Sequence, residues 1–365
     1  MQRLGRAFLI LGAGLLSGLA LAASAAGTPA THAAKVRHLR VQVAALAMDG
    51  SRIAYDASPK YSTNPNATNK VLVWDVRTGK TVKVSGKKTA AADSTSTGAG
   101  VFQLAIAGSR VAWIVNEGGN LEGDDDLFTS SVTSPKERKV ASALRSGESC
   151  PGREASHCAG PWLGGLVGSG NTITVNRWTT DSQGDVTSGG LYALKGTNLK
   201  QIADGASTVL AVSSDAGREA VLRSDGSVAV YSASGNVQAA VNPPNAKGAA
   251  LSGKNLVIVT KTPRELELYN SHTGSLRKTF PARGTKQPRN LDVQGNIAIY
   301  SVGSELHAVN LSSGKDRVVA SLNGGIYLAQ LDSAGLVYAG NGFGANYGKG
   351  TLVFLPLAKI AAAVS

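Results

Sequence analysis

The sequence predicts an all-β fold, a β-propeller of seven four-stranded antiparallel blades, and three observations carry that prediction. First, apolar and polar residues alternate in short segments such as Arg52-Ile53-Ala54-Tyr55 and Val71-Leu72-Val73-Trp74. Alternation at period two bounded by Gly, Asn, Asp and Ser marks half-buried strands. Second, a glycine recurs between a first and a second segment at Gly50, Gly108, Gly170, Gly217, Gly253, Gly295 and Gly335. Third, each copy continues into a third segment, and turns such as Thr78-Gly79-Lys80, Thr273-Gly274-Ser275 and Ser313-Gly314-Lys315 lead into a fourth. A unit of roughly 40 to 50 residues with four short strands is a propeller blade, which buries both faces only by stacking on its neighbours.

Taken in order, the chain starts with Arg3 and Arg6, an apolar run from Ala7 to Ala22 and the small residues Ala23-Ser24-Ala25. That order predicts a secretory signal peptide over residues 1–26, removed on export. Residues 27–42 form a polar leader that contains a possible closing strand. A single propeller domain is predicted over residues 43–364. Its blades fall at 43–88, 101–143, 162–205, 208–243, 246–282, 288–322 and 326–364. Alanines in the first segments, including Ala45, Ala105, Ala249 and Ala250, suit strands crowded toward a central channel. Ring closure has two candidates, a strand near Val36 to Val41 or the tail Ile360 to Val364. No segment beyond the signal region sustains a 3.6-residue period between caps, so no helical domain is expected.

A meander sends its turns alternately to the two ends of a blade. The connections between strands one and two, and three and four, read as tight turns of two to four residues. The long segments Asp56 to Asn69, Gly86 to Gly100, Asn116 to Asp126, Ala143 to Pro161, Arg177 to Gly189 and Ala339 to Gly350 all belong to the opposite end. They come from blades one, two, three and seven, which are neighbours in a closed ring. Loops on a rigid scaffold are where binding residues gather, so this end is the expected functional face.

The candidates for partner binding there are Tyr61, Asn116, Glu117, Arg177, Trp178, Phe343 and Tyr347. Aromatic side chains on polar, Gly- and Asn-rich loops suit carbohydrate or peptide recognition. Glu117, Glu122, Asp124, Asp125 and Asp126 form the dense acidic cluster of the chain. Glu122, Asp124 and Asp126 are the candidate Ca²⁺ ligands, although the spacing does not match an EF-hand loop. A solvated acidic loop is the alternative. The run Gly340 to Thr351 lacks the spacing of a phosphate loop and leads into a strand. His32, His38, His157, His272 and His307 show no paired metal spacing, and no nucleophile elbow is present, so no catalytic residue is assigned. Asn66-Ala67-Thr68 and Asn310-Leu311-Ser312 match the glycosylation sequon.

Cys150 and Cys158 are expected to form a disulfide in an oxidising compartment. Closing so short a loop stabilises locally by about 2 to 3 kcal/mol. The formal charge of +13 falls to +11 without Arg3 and Arg6. The positive charge is dispersed along the chain without interleaved aromatics, which argues against specific nucleic-acid binding and for attraction to anionic envelope material.

At Met48-Asp49-Gly50-Ser51-Arg52-Ile53-Ala54-Tyr55 and Trp74-Asp75-Val76-Arg77-Thr78-Gly79 the chain resembles the WD-repeat-like propellers of the bacterial TolB type. Its turns are also similar to those of pyrroloquinoline-quinone-type propellers. The resemblance implies the propeller fold, and its TolB form implies a scaffold within an envelope assembly. Only the first blade has the Trp-Asp pair, and no catalytic residue is carried over.

The expected protein is therefore a secreted or periplasmic, cell-envelope binding or scaffolding propeller without a cofactor. Its expected partner is an envelope or extracellular protein, peptide or glycan; it is expected to be monomeric and not membrane-spanning after cleavage. The alternative is a metal- or quinone-dependent hydrolase or oxidoreductase that holds Ca²⁺ on the 116–126 loop near the channel mouth.

Overall fold

A computed structural model describes residues 33–58, 69–87, 89, 99–118, 123–145, 160–181, 185–205, 209–341 and 349–365. The signal segment 1–26, Tyr61, Glu122, Cys150, Cys158, Phe343 and Tyr347 lie outside these residues. The chain forms seven four-stranded antiparallel sheets, as the repeat predicts.

The chain enters through β1 (Lys35–Leu39), and blade one follows as β2 (Gln42–Asp49), β3 (Arg52–Ser58), β4 (Val71–Asp75) and β5 (Thr81–Lys83). Blade two is β6 (Ala99–Ala107), β7 (Arg110–Gly118), β8 (Gly123–Ser131) and β9 (Arg138–Arg145). Blade three is β10 (Gly160–Ser169), β11 (Thr172–Thr180), β12 (Val186–Lys195) and β13 (Asn198–Asp204). In blade four the strands are β14 (Val209–Asp215), β15 (Arg218–Arg223), β16 (Val228–Tyr231) and β17 (Val237–Val241). Blade five holds β18 (Ala246–Ser252), β19 (Asn255–Thr260), β20 (Glu265–Asn270) and β21 (Leu276–Pro281). Blade six holds β22 (Arg289–Gln294), β23 (Ile297–Val302), β24 (Glu305–Asn310) and β25 (Asp316–Ser321).

Blade seven is β26 (Leu328–Leu331), β27 (Gly335–Asn341) and β28 (Gly350–Pro356), and β1 supplies its fourth strand. Lys35 pairs with Phe354 and Leu39 with Gly350, so the N-terminal candidate closes the ring. The tail, the other closing candidate, instead forms a short helix, α1 (Leu357–Val364). Its Ile360 and Val364 are buried against Leu336, Tyr338 and Val353. A single helix of eight residues is too short for a period to stand out in sequence.

Period two explains the core. Ile53 and Tyr55 point to one side of β3 and join Trp74, Val337 and Phe354 between blades seven and one. Ala54 points to the other side and joins Val73, Val111, Trp113 and Phe128 between blades one and two. Each blade thus fills two interfaces with alternate residues.

Five of the seven aligned glycines, Gly50, Gly108, Gly170, Gly253 and Gly295, are first residues of two-residue turns. Gly50 has φ +59, the left-handed region that such hairpin turns need. Gly217 is a second turn residue, and Gly335 begins β27. The turns between strands three and four reach six residues at 132–137, longer than predicted.

A belt of side chains links the inner strands. Asp49 Oδ2 accepts the Gly108 N–H at 2.5 Å, Ser169 Oγ that of Ala216 at 2.9 Å and Asp215 Oδ2 that of Gly253 at 2.6 Å. Ser252 Oγ accepts from Gly295 at 3.0 Å and Asp292 Oδ2 from Leu331 at 2.7 Å. Gln103 Oε1 bonds Leu166 N at 2.8 Å across blades two and three, and Asp332 Oδ2 bonds Gly50 N at 2.5 Å across blades seven and one. Every junction is thus crossed by a side chain that satisfies a backbone donor of the next blade. Asp332 also accepts from Ala334 and Gly335. Replacing Asp332 with Ala is expected to cost about 1.5 to 3 kcal/mol, the value of hydrogen bonds to a charged acceptor. Chemical denaturation checks this, and an unchanged midpoint and slope contradict it.

Candidate functional site

The end of the propeller that carries the long connections holds a cleft of about 570 Å³ at the inner rim, where β6, β10 and β14 begin. Its centre is an aromatic pair. Trp162 in β10 and Trp178 in β11 face each other across the ladder, with ring centroids 6.2 Å apart and planes 9° from parallel. Trp162 Nε1 donates to Thr180 Oγ1 at 3.0 Å, which fixes the indole. A Cβ on Gly164 would come within 3.2 Å of the Trp178 ring and one on Gly189 within 3.0 Å of its Cβ, so small neighbours give the indole its place.

Polar groups line the same cleft. Asn116 Nδ2 donates to Asp125 Oδ1 at 2.7 Å, and Asp125 is buried. On either side stand Phe102 and Leu210, apolar side chains 40% and 54% exposed at the starts of β6 and β14. Large apolar surface left in water beside a few fixed polar groups is the character of a recognition site.

Of the sequence candidates, Asn116 and Trp178 come together here. Arg177 does not line the cleft, because adjacent residues of a strand face opposite ways. It is exposed, beside Leu163 across the ladder. Trp162, Phe102 and Leu210 were not singled out in sequence, since each looks like an ordinary strand residue. The signal for Trp162 was its position at the start of an inner strand, beside Pro161.

The acidic cluster is not a loop over its whole length. β7 and β8 remain paired to Gly118 and Gly123, with Asn116 opposite Asp125 and Glu117 opposite Asp124. The same holds for the predicted 177–189 loop, whose ends continue as strand to Thr180 and from Val186. Ladder hydrogen bonds override the polar composition that marked these residues as loop. Alternation then splits the acids. Asp125 turns to the cleft, while Asp124 and Asp126 lie on the other face. Asp126 meets Lys139 at 2.6 Å and Ser142 Oγ at 2.7 Å. Burial, with Asp126 next, raises the Asp124 carboxyl above the usual range. Among the described residues no three His, Cys, Asp or Glu side chains converge as metal ligands would.

A buried polar network lies in blade six. Tyr300 OH donates to Asp316 Oδ2 at 2.6 Å, and His307 Nδ1 lies 2.9 Å from Asp316 Oδ1. The Tyr300 and His307 rings stack at 4.9 Å. The Arg283 N–H donates to Tyr300 OH at 2.9 Å, so the network holds the connection between blades five and six. Burial, then the bond to Asp316, raises the Tyr300 hydroxyl.

Fold and cleft together define a seven-bladed β-propeller with an aromatic-lined cleft at the inner rim of one end. No protein-family model and no curated protein matches the chain. Among solved structures, one titled "Crystal Structure of Mitotic Checkpoint Complex" is similar over 95% of this chain and 99% of that chain, with TM-score 0.55 and 15% identity. The β-propeller domain of the Trilobed protease from Pyrococcus furiosus is similar over 82% of this chain and 89% of that one, with TM-score 0.50 and 10% identity. BamB from Moraxella catarrhalis aligns over 86% and 85%, with TM-score 0.41 and 14% identity. The first two likenesses show the propeller fold alone.

Proposed function

We propose that this chain is a non-enzymatic binding propeller that engages a protein, peptide or glycan through the cleft of Trp162 and Trp178. The observation that carries the reading is the half-buried aromatic pair, set beside exposed Phe102 and Leu210 and the Asn116–Asp125 pair. Aromatic anchors supply large contact area at low entropic cost, and the amide–carboxylate pair offers both a donor and an acceptor to a ligand. Residues 1–26 read as an export signal, which assigns the partner to the cell envelope or the exterior. The TolB-type blade pattern supports a scaffolding role there. Tyr61, Phe343 and Tyr347 belong to connections at the same end and are proposed to extend the contact surface.

The test is capture of envelope and extracellular partners by the full-length mature protein and by a Trp162→Ala/Trp178→Ala variant. Affinity for each captured partner is expected to fall on the order of 30-fold, as for loss of an interface hot spot. Retention of every partner at unchanged affinity by the folded variant contradicts the reading.

A further inference from the structure

The same end of the ring carries a second feature, on the blades that follow the cleft and invisible as a run in the sequence. Six cations from three chain segments gather on blades five and six: Lys247, Lys261, Arg264, Arg283, Lys286 and Arg289. The segments are tied to one another. Lys261 N donates to Asn245 O at 3.0 Å and Asn245 Nδ2 to Thr262 O at 3.3 Å, which joins the start of β18 to the turn after β19. Ala282 N donates to Arg264 O at 3.0 Å, Arg264 Nη1 to Gly284 O at 2.6 Å and Gln287 Nε2 to Thr260 O at 3.4 Å. These bonds join that turn to the connection that leads into β22. The cations therefore stand on one braced surface.

Two of the six are partly engaged. Arg264 bonds Gly284, and Arg283 lies 3.8 Å from Asp316. Lys247, Lys261, Lys286 and Arg289 are exposed, and among the described residues none makes a side-chain hydrogen bond or an ion pair. Among the described residues the negative charge beside them is half-buried Glu265, buried Asp316 next to Arg283, and Glu305, which leans toward His307 at 3.5 Å. Among the described residues elsewhere, Lys139 is paired with Asp126 and Arg218 with Asp215. Holding unpaired like charges together costs self-repulsion, which an anionic ligand relieves.

We propose that this surface docks an acidic segment of a protein partner, a short carboxylate-rich stretch laid across blades five and six. The charge layout of the whole face selects this occupant over an anionic membrane. Blade two lies across the ring from blades five and six, and it presents Glu117 and Asp124 at the same end, with Asp126 paired to Lys139. A flat anionic surface meets both regions and is repelled by the second. A chain segment meets only the basic one, because charges beyond a Debye length of about 8 Å are screened at physiological salt. The assignment does not rest on the tryptophan cleft.

Fluorescence anisotropy of a labelled oligoglutamate peptide with the mature protein tests it, beside sedimentation with equimolar phosphatidylcholine and phosphatidylglycerol vesicles. The peptide is expected to bind, to bind several-fold more weakly when salt rises, and to bind on the order of 30-fold more weakly to a Lys247→Glu/Lys261→Glu/Lys286→Glu/Arg289→Glu variant. The corresponding four-Gln variant, which avoids new repulsion and keeps the fold testable, is expected to fall between the two. The proposal is overturned if the peptide fails to bind at low salt, if both variants bind it as the parent does, or if the vesicles and not the peptide are held.

Discussion

Deleting the chain through Arg40 is expected to destabilise the propeller by about 5 kcal/mol, the largest effect of any change considered. The five paired residues of β1 complete blade seven, and a ladder hydrogen bond contributes about 1 kcal/mol net. The strand also staples two blades together. Lys35 Nζ donates to Val76 O, Arg37 Nη1 donates to Thr81 Oγ1 at 2.6 Å, and the Arg37 guanidinium lies 5.1 Å from the Trp74 ring centroid. Trp74, Val76 and Thr81 belong to blade one and its turn, so β1 closes the ring with side chains as well as backbone. Without it β28 becomes a bare edge open to pairing with another chain. Thermal melting and size-exclusion chromatography check both outcomes. A truncated protein that melts with the full one and stays monomeric contradicts this account of closure.

Glu219→Gln is expected to flatten the dependence of stability on pH. Glu219 is buried in β15, where Ser214 Oγ donates to Oε1 at 2.9 Å. Burial, only partly offset by Ser214, pushes the carboxyl up to about 8. An acid whose folded pKa is raised binds its proton more tightly in the folded state. Its contribution is therefore most favourable below about 4.5, where both states are protonated, and declines as pH rises toward about 8. The decline amounts to a few kcal/mol, on the order of 1.4 kcal/mol for each unit between the two values. Gln carries no charge, so the advantage of the variant over the parent should grow between about pH 4.5 and 8 and then level off. Burial also raises Asp292 to about 7 and Asp332 to about 6, so the parent's total slope contains their share. The difference between the two proteins isolates Glu219. A constant difference from pH 5 to pH 9 overturns the prediction.

Much of the fold was legible because each blade solves one burial problem in the same way. Ile53, Ala54 and Tyr55 alternate in the sequence and alternate between two interfaces in the structure. The turn glycines were legible for a local reason, since a two-residue hairpin needs the left-handed backbone seen at Gly50 and Gly108. In the sequence Asp49 and Ser252 stand only as the polar residues before Gly50 and Gly253. Their side chains in fact reach forward to Gly108 and Gly295 of the next blade, a contact that exists only once the blades stack.

The makeup of the candidate cleft was legible in part. The uneven lengths of the connections pointed to one end of the ring, and Asn116 and Trp178 do share a cleft there. Their partners were not foreseen, because Trp162, Phe102 and Leu210 come from separate blades or strands and look like strand residues. Glu117 and Arg177 sit one residue from cleft residues and point elsewhere, as the pleat requires.

By itself, then, the sequence determined the strand period, the turns, the number of blades and the end of the ring with the long connections, since all follow from interactions within about 40 residues. Only the tertiary structure decided that β1 rather than the tail closes the ring, that the tail coils into α1, and that the acidic hairpin faces the basic surface of blades five and six across the ring. These outcomes depend on contacts between distant residues, such as Lys35 with Phe354 or Gly50 with Asp332. Their free energy comes from side chains that meet only after the blades have stacked.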